Sequence, residues 1–173
     1  MNQPAQQLMT PRSPTFAITP TGVPIKISSR RGIWTVILFC AVAMGAVIAV
    51  PLYGYLYHYT WLDWSLFGLL YAVSGLGITV GYHRLMAHRS YDCPNWVKGA
   101  LLIAGAWALQ NSVIKWASDH LRHHAHCDEE KDPYNAQQGF WHSHCGWLFT
   151  SDQYTDPKYA TRVANDPVAI WQH

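Results

Sequence analysis

The sequence predicts an all-α integral membrane protein: two transmembrane helices, an interfacial helix, and cytoplasmic helices that carry histidines. Two long uncharged apolar runs occupy the first half of the chain. Only 13% of the 173 residues are charged, and eight of the ten histidines fall between His83 and His144. That charged fraction is about half of what a soluble protein carries. A net charge of +2 excludes a strongly basic nucleic-acid binder, and no nucleic-acid partner is expected. Four cysteines without a CxxC pair exclude a ribbon-type zinc module and a ferredoxin-type cluster.

The first 28 residues hold five of the ten prolines, show little hydrophobic periodicity, and are expected to be a disordered cytoplasmic N-terminus. Residues 29–173 form the membrane domain. Gly32 to Leu62 contains no Asp, Glu, Lys or Arg. A bilayer core of about 30 Å needs roughly 20 apolar helical residues, so a first span is expected at about 33–57, with Pro51 placed to kink it. After Asp63, residues 64–82 are again uncharged and contain Gly68, Gly75, Gly77 and Gly81. This is the second span, whose small residues allow close helix approach in lipid. Aromatics cluster at the intervening turn, as at a headgroup belt. Lys26, Arg30 and Arg31 precede the first span and Arg84, Arg89 and Lys98 follow the second, which places both flanks in the cytoplasm. A shorter apolar stretch, Gly99–Leu109, suits an interfacial helix over about 96–112.

Two histidine clusters flank that helix. In His120-Leu-Arg-His123-His124, positions i, i+3 and i+4 share one helical face. In His83-Arg-Leu-Met-Ala-His88 the pair is five apart, about 140° on a regular helix. The two converge only if the helix ends or distorts, or if they serve different ions. Five convergent imidazoles suit Fe, Zn, Cu or Ni. They exceed the four ligands of a closed zinc site, which suggests a multinuclear centre. No histidine lies at mid-span to ligate haem, and the spacing favours non-haem iron. His126, His142, His144 and His173 form no further box; His144 is read as a helper or structural residue. Cys40 lies in a span, while Cys93, Cys127 and Cys145 are expected to be free thiols, with Cys127 beside His126 able to take up adventitious zinc.

His83-Arg-Leu-Met-Ala-His88-Arg-Ser-Tyr resembles the first histidine box of membrane fatty-acyl desaturases. Trp116-Ala-Ser-Asp-His120-Leu-Arg-His123-His124 resembles the second. Asp132-Pro-Tyr-Asn, Gly139-Phe-Trp-His-Ser-His144-Cys-Gly-Trp147 and Asp166-Pro-Val168 to His173 are similar to the stretches that follow it. The resemblance runs from about Ser29 to the last residue and is nearest the delta-9 acyl-CoA type, in a bacterial version.

It implies an O2-dependent oxidoreductase of lipid metabolism that puts a double bond into a saturated acyl chain, using two electrons and two iron ions (Fe2+) facing the cytoplasm of a bacterial inner membrane. His83, His88, His120, His123 and His124 would be iron ligands, with no catalytic residue beyond them. Gln110 and Trp116 would shape an acyl tunnel, and Asn111 and Asp119 would contact the head group. Trp107, Leu109 and Trp147 are further candidate walls. Ser118 and Gln137-Gln138 stand where animal enzymes carry basic residues, which shifts the balance from acyl-CoA toward an acyl-lipid or carrier-bound substrate. Electrons must come from outside, from a ferredoxin or a b-type cytochrome with its reductase, since no Rossmann motif or four-cysteine cluster occurs.

The family pattern continues with two more spans, further ligands and a third box. The chain therefore reads as the N-terminal portion of an incomplete four-span desaturase fold, expected to be inactive alone. Alternatives are a related di-iron membrane hydroxylase or oxygenase, and a non-catalytic membrane metal-binding protein.

Overall fold

The computed structural model describes residues 16–18, 24–26, 33–149 and 156–173. Within the segment expected to lack regular structure, β1 (Phe16–Ile18) and β2 (Pro24–Lys26) pair as a short antiparallel hairpin, Ala17 opposite Ile25. The rest of 1–28 lies outside the described residues. From Ile33 onward the regular structure is helical.

The first span runs unbroken from Ile33 to Tyr57 as α1 (Ile33–Met44), a π-helical turn π1 (Gly45–Ala49) and α2 (Val50–Tyr57). Pro51 sits in the first turn of α2. It has no N–H to give the carbonyl four residues back, and its ring crowds that carbonyl. The widened i→i+5 turn just before it, in which the Val50 N–H reaches the Gly45 carbonyl, accommodates the proline without ending the helix.

The second span begins three residues earlier than the charge pattern suggests. α3 covers Trp61–Leu76 and continues as an eleven-residue π-helix, π2 (Gly77–Ala87). Asp63 starts this helix instead of interrupting the apolar run. Its Oδ2 accepts the Thr60 N–H at 2.8 Å and the Thr60 side chain accepts the Asp63 N–H at 3.4 Å, a reciprocal cap. Both helices are long and apolar enough to cross a bilayer, and of their most apolar stretches 0% and 11% are buried inside the protein. A soluble protein would bury such surface; here it faces outward, as lipid-facing helices do.

α4 (Asn95–Ala106) is shorter than the expected 96–112. Leu109 and Asn111 take positive φ (56° and 72°), which no helix tolerates, and the chain reverses there. α4 is stacked on π2 rather than isolated. A Cβ on Gly77 would collide with the backbone of Gly105 and Ala104, and Gly81 lies against Leu101. Ser112 then caps α5 (Val113–Ala125), accepting the Lys115 N–H.

Tyr82, Leu85 and Met86 of π2, Leu102 of α4, and Val113, Ile114 and Ala117 of α5 form one buried cluster. Beyond the short α6 (Phe140–His144), Ala160, Val163 and Ala164 (the last two on α7, Thr161–Ala164) and Ala169 of α8 (Pro167–Gln172) complete it. α8 is tied down at both ends. Asp166 caps it, accepting the Val168 and Ala169 N–H groups, and takes Lys98 Nζ at 2.6 Å. Gln172 donates to the Tyr82 hydroxyl and accepts the Val113 N–H, both at 2.9 Å. Because the Lys98–Asp166 pair is 17% and 14% exposed, Lys98→Met strands a largely desolvated carboxylate. The expected cost is about 1–3 kcal/mol of stability, read as a lowered unfolding midpoint; an unchanged midpoint would show the pair to be idle.

Candidate metal centre

The first histidine pair converges because the helix that carries it is not α-helical. π2 bonds i to i+5, and the His88 N–H reaches the His83 carbonyl at 2.9 Å. Residues five apart are therefore stacked, as residues four apart are on an α-helix. The His83 and His88 ring centroids lie 4.5 Å apart. The distortion that the five-residue spacing demands is thus spread over the whole end of the second span.

α5 supplies the second set. His120 and His124, one turn apart, have ring centroids at 4.6 Å, and their Nε2 atoms are 3.1 Å apart. Across the gap, His120 lies 4.7 Å from His83 by centroid, and its Nε2 is 2.9 Å from that of His88. His88 and His124 approach to 5.0 Å. The ligand atoms of His83, His88 and His120 all fall within 4.8 Å of one another. Behind them Trp116 stacks on His120 at 4.7 Å, held by its Nε1–H bond to Gln110 Oε1 at 2.9 Å.

His123 borders the cluster, 5.7 Å from His124, and is oriented by a residue to which sequence reasoning gave no role. Its Nδ1 lies 2.9 Å from both oxygens of Asp132. Asp132 also accepts the Asp128 N–H at 2.9 Å and the Tyr134 N–H at 2.8 Å. With its oxygens so engaged, Asp132 fixes the imidazole tautomer and leaves Nε2 available. The clue was present in the Asp132-Pro133 string after the second box. Cys127 is also close to His123 and Asp132, where a zinc reading had paired it with His126. His126 instead meets Tyr159 Oη at 2.9 Å, and His173 meets Ser112 Oγ at 2.6 Å, so both tether segments. All four cysteines are free thiols.

Of the residues assigned to substrate, Gln110 and Trp116 sit together beside His120. Asn111 accepts the Tyr82 hydroxyl on its backbone carbonyl at 3.1 Å. Asp119 is buried and paired with Lys115 at 2.6 Å. Ser118 is likewise buried, donating to the Asp156 carbonyl at 2.7 Å.

The electrostatics favour a neutral ring at His120 and at His88. Burial, then the charges of His124, His83, His88 and His123, push the His120 pKa down to about 3. Burial and then His83 and His124 lower that of His88. For Asp132, burial pulls upward, but the Asp128 and Tyr134 N–H groups and His123 outweigh it and hold the carboxyl below its usual range. Imidazole nitrogens that converge on one another from two helices are a donor set that could hold a metal ion. In the metal-free chain His120 binds its proton near pH 6.5 when unfolded and near 3 when folded. The unfolded state therefore holds more protons across that window, and stability falls as pH drops from about 6.5 toward 3. A thermal-unfolding series over this range should show the loss, and His120→Asn should flatten it; parallel curves would contradict this account.

The fatty acid desaturase family profile matches residues 59–172. The chain belongs to the fatty acid desaturase family. It is 40% identical over 114 residues to the sn-1 stearoyl-lipid 9-desaturase of Anabaena variabilis, covering 64% of this chain and 42% of that protein. It is 43% identical over 117 residues to human stearoyl-CoA desaturase (67% and 32%), and 35% identical over 146 residues to the Delta(9)-fatty-acid desaturase fat-7 of Caenorhabditis elegans (81% and 43%). The chain thus spans less than half the length of these relatives.

Proposed function

We propose that this chain carries the first two histidine boxes of a membrane fatty acyl desaturase, in which His83, His88, His120, His123 and His124 hold iron at the cytoplasmic face of a bacterial inner membrane. The observation that supports this best is the convergence of the His83, His88, His120 and His124 rings from two helices that only tertiary packing brings together. When bound, iron would supply the O2 chemistry that an unactivated methylene demands. In the overall reaction the acyl chain gives up two hydrogens, an external donor gives two electrons, two protons are taken up, and O2 leaves as two waters.

The chain's own residues supply position. π2 and α5 turn the imidazoles toward one another, Asp132 orients His123, and Trp116 walls the site on the side of Gln110. A long acyl chain has no polar handle near its middle, so the site of attack must be chosen by apolar packing. The substrate is a long-chain acyl group on CoA or on a lipid, both of which occur among the relatives' substrates by name.

The test is a chimera in which residues 59–172 replace the matching segment of the Anabaena sn-1 stearoyl-lipid 9-desaturase, expressed in a host without desaturases. Unsaturated lipid, lost on His120→Ala, is the expected result. A hydroxylated product, or a folded chimera that takes up only zinc, would overturn the reading.

A further inference from the structure

π-Helical bonding is geometrically poorer than α-helical bonding, and runs this long need outside support. Returning π2 to the α register would place His88 about 140° from His83 and dissolve the pair. The last carbonyls of a helix run out of partners within it, and three near the end of π2 have donors of their own. The His83 carbonyl takes the His88 N–H at 2.9 Å, and the Arg84 carbonyl takes the Ser90 N–H at 2.8 Å. The Met86 carbonyl is served from 76 residues away, by Arg162 Nη2. Met86 is 1% exposed, so losing that donor leaves a buried carbonyl without its donor. α7, which carries Arg162, is anchored independently through buried Val163 and Ala164, and the following helix through Asp166–Lys98.

We propose that Arg162 is a positioning residue: by holding the Met86 carbonyl it keeps π2 in its i→i+5 register, and so keeps His83 and His88 convergent on the metal site. The inference rests on the metal-site reading above. Its physical content is that a side chain far along the sequence, bonded to a backbone carbonyl of π2, sets the geometry of the first pair. Orienting partners of this kind typically change metal affinity by 10–100-fold.

The test uses the full chain in lipid nanodiscs with Co2+ as probe, reading affinity and the visible ligand-field spectrum, which reports coordination geometry, alongside the unfolding midpoint. Arg162→Met should weaken Co2+ binding by about 10–100-fold and alter the spectrum. Arg162→Lys, which keeps the charge and one donor, should recover part of both. Lys98→Met, which removes an ion pair between α4 and the cap of α8 and takes no donor from a π2 carbonyl, should lower the midpoint and leave the Co2+ spectrum alone. A wild-type spectrum and affinity in Arg162→Met overturns the proposal, as does an equal spectral change in Lys98→Met. If Arg162→Met does not insert and fold, Arg162→Lys decides: a weakened, shifted spectrum supports the role and an unchanged one overturns it. A wild-type chain that binds no Co2+ through histidine would sink the metal-site reading itself, a different outcome from a bound site indifferent to Arg162.

Discussion

His120→Ala should abolish metal uptake while leaving the fold intact. His120 is the hub of the cluster. Its Nε2 lies 2.9 Å from that of His88 and 3.1 Å from that of His124, and its ring is 4.7 Å from His83. A residue that only orients a ligand changes affinity by about 10–100-fold, so loss of a ligand at the centre should exceed 100-fold. Metal analysis and Co2+ titration of the nanodisc-embedded chain read this directly. Stability supplies the control. Without metal, charge on His120 is opposed by its burial and by its neighbouring histidines. Removing His120 should leave the metal-free unfolding midpoint unchanged or raised, the pattern expected where a site is kept for function at some cost in stability. A variant that binds metal as tightly as wild type, or that unfolds without it, would remove His120 from the centre.

Gly77→Val should be the most damaging single change in the membrane region. A Cβ at Gly77 would meet backbone atoms of Gly105 and Ala104, and backbone cannot rotate aside. Forced overpacking in a close-packed core costs about 1–3 kcal/mol and more where nothing can give, so a loss of about 3 kcal/mol or more is expected. The same contact seats π2 on α4, so metal binding should fall too. Gly105→Ala is a milder version of the same insult. Its Cβ meets the Tyr82 ring, which is itself pinned by Asn111 and Gln172. The contrast is Gly75→Ala in the same span, where nothing lies within 4 Å of the added methyl. There helix propensity alone acts, and stability should hold or rise by up to about 1 kcal/mol. Denaturation midpoints of the three variants in one lipid would show the order; Gly77→Val matching Gly75→Ala would break the packing account.

Much of this was legible before any coordinates. The two spans were visible because a bilayer demands a length and apolarity that composition alone reports. The α5 histidines were visible because i, i+3 and i+4 is a local geometric fact. The glycines of the second span were recognisable as a class that permits close approach. Which of them do so was not: Gly77 and Gly81 face α4, whereas Gly68 and Gly75 face open space. Asp63 looked like a break because a charge in an apolar run usually is one. Its role as a cap depends on Thr60 and on where the helix begins. The short α4 was overestimated because Leu109 and Asn111 carry no glycine-like signal of their positive φ.

What the linear order of residues determined is the membrane class, the number of apolar helices described, and the chemistry of the donors. These follow from local terms: hydropathy over a window, residue type, and spacing within one turn. What tertiary structure alone decided is that His83 and His88 point the same way, that both meet His120, and that His88 also meets His124. A π register is a poor local choice that survives only when distant groups hold it in place. Gly105 against Tyr82, Arg162 on Met86 and Gln172 on Tyr82 do so from 23, 76 and 90 residues away in sequence, at distances no window can see.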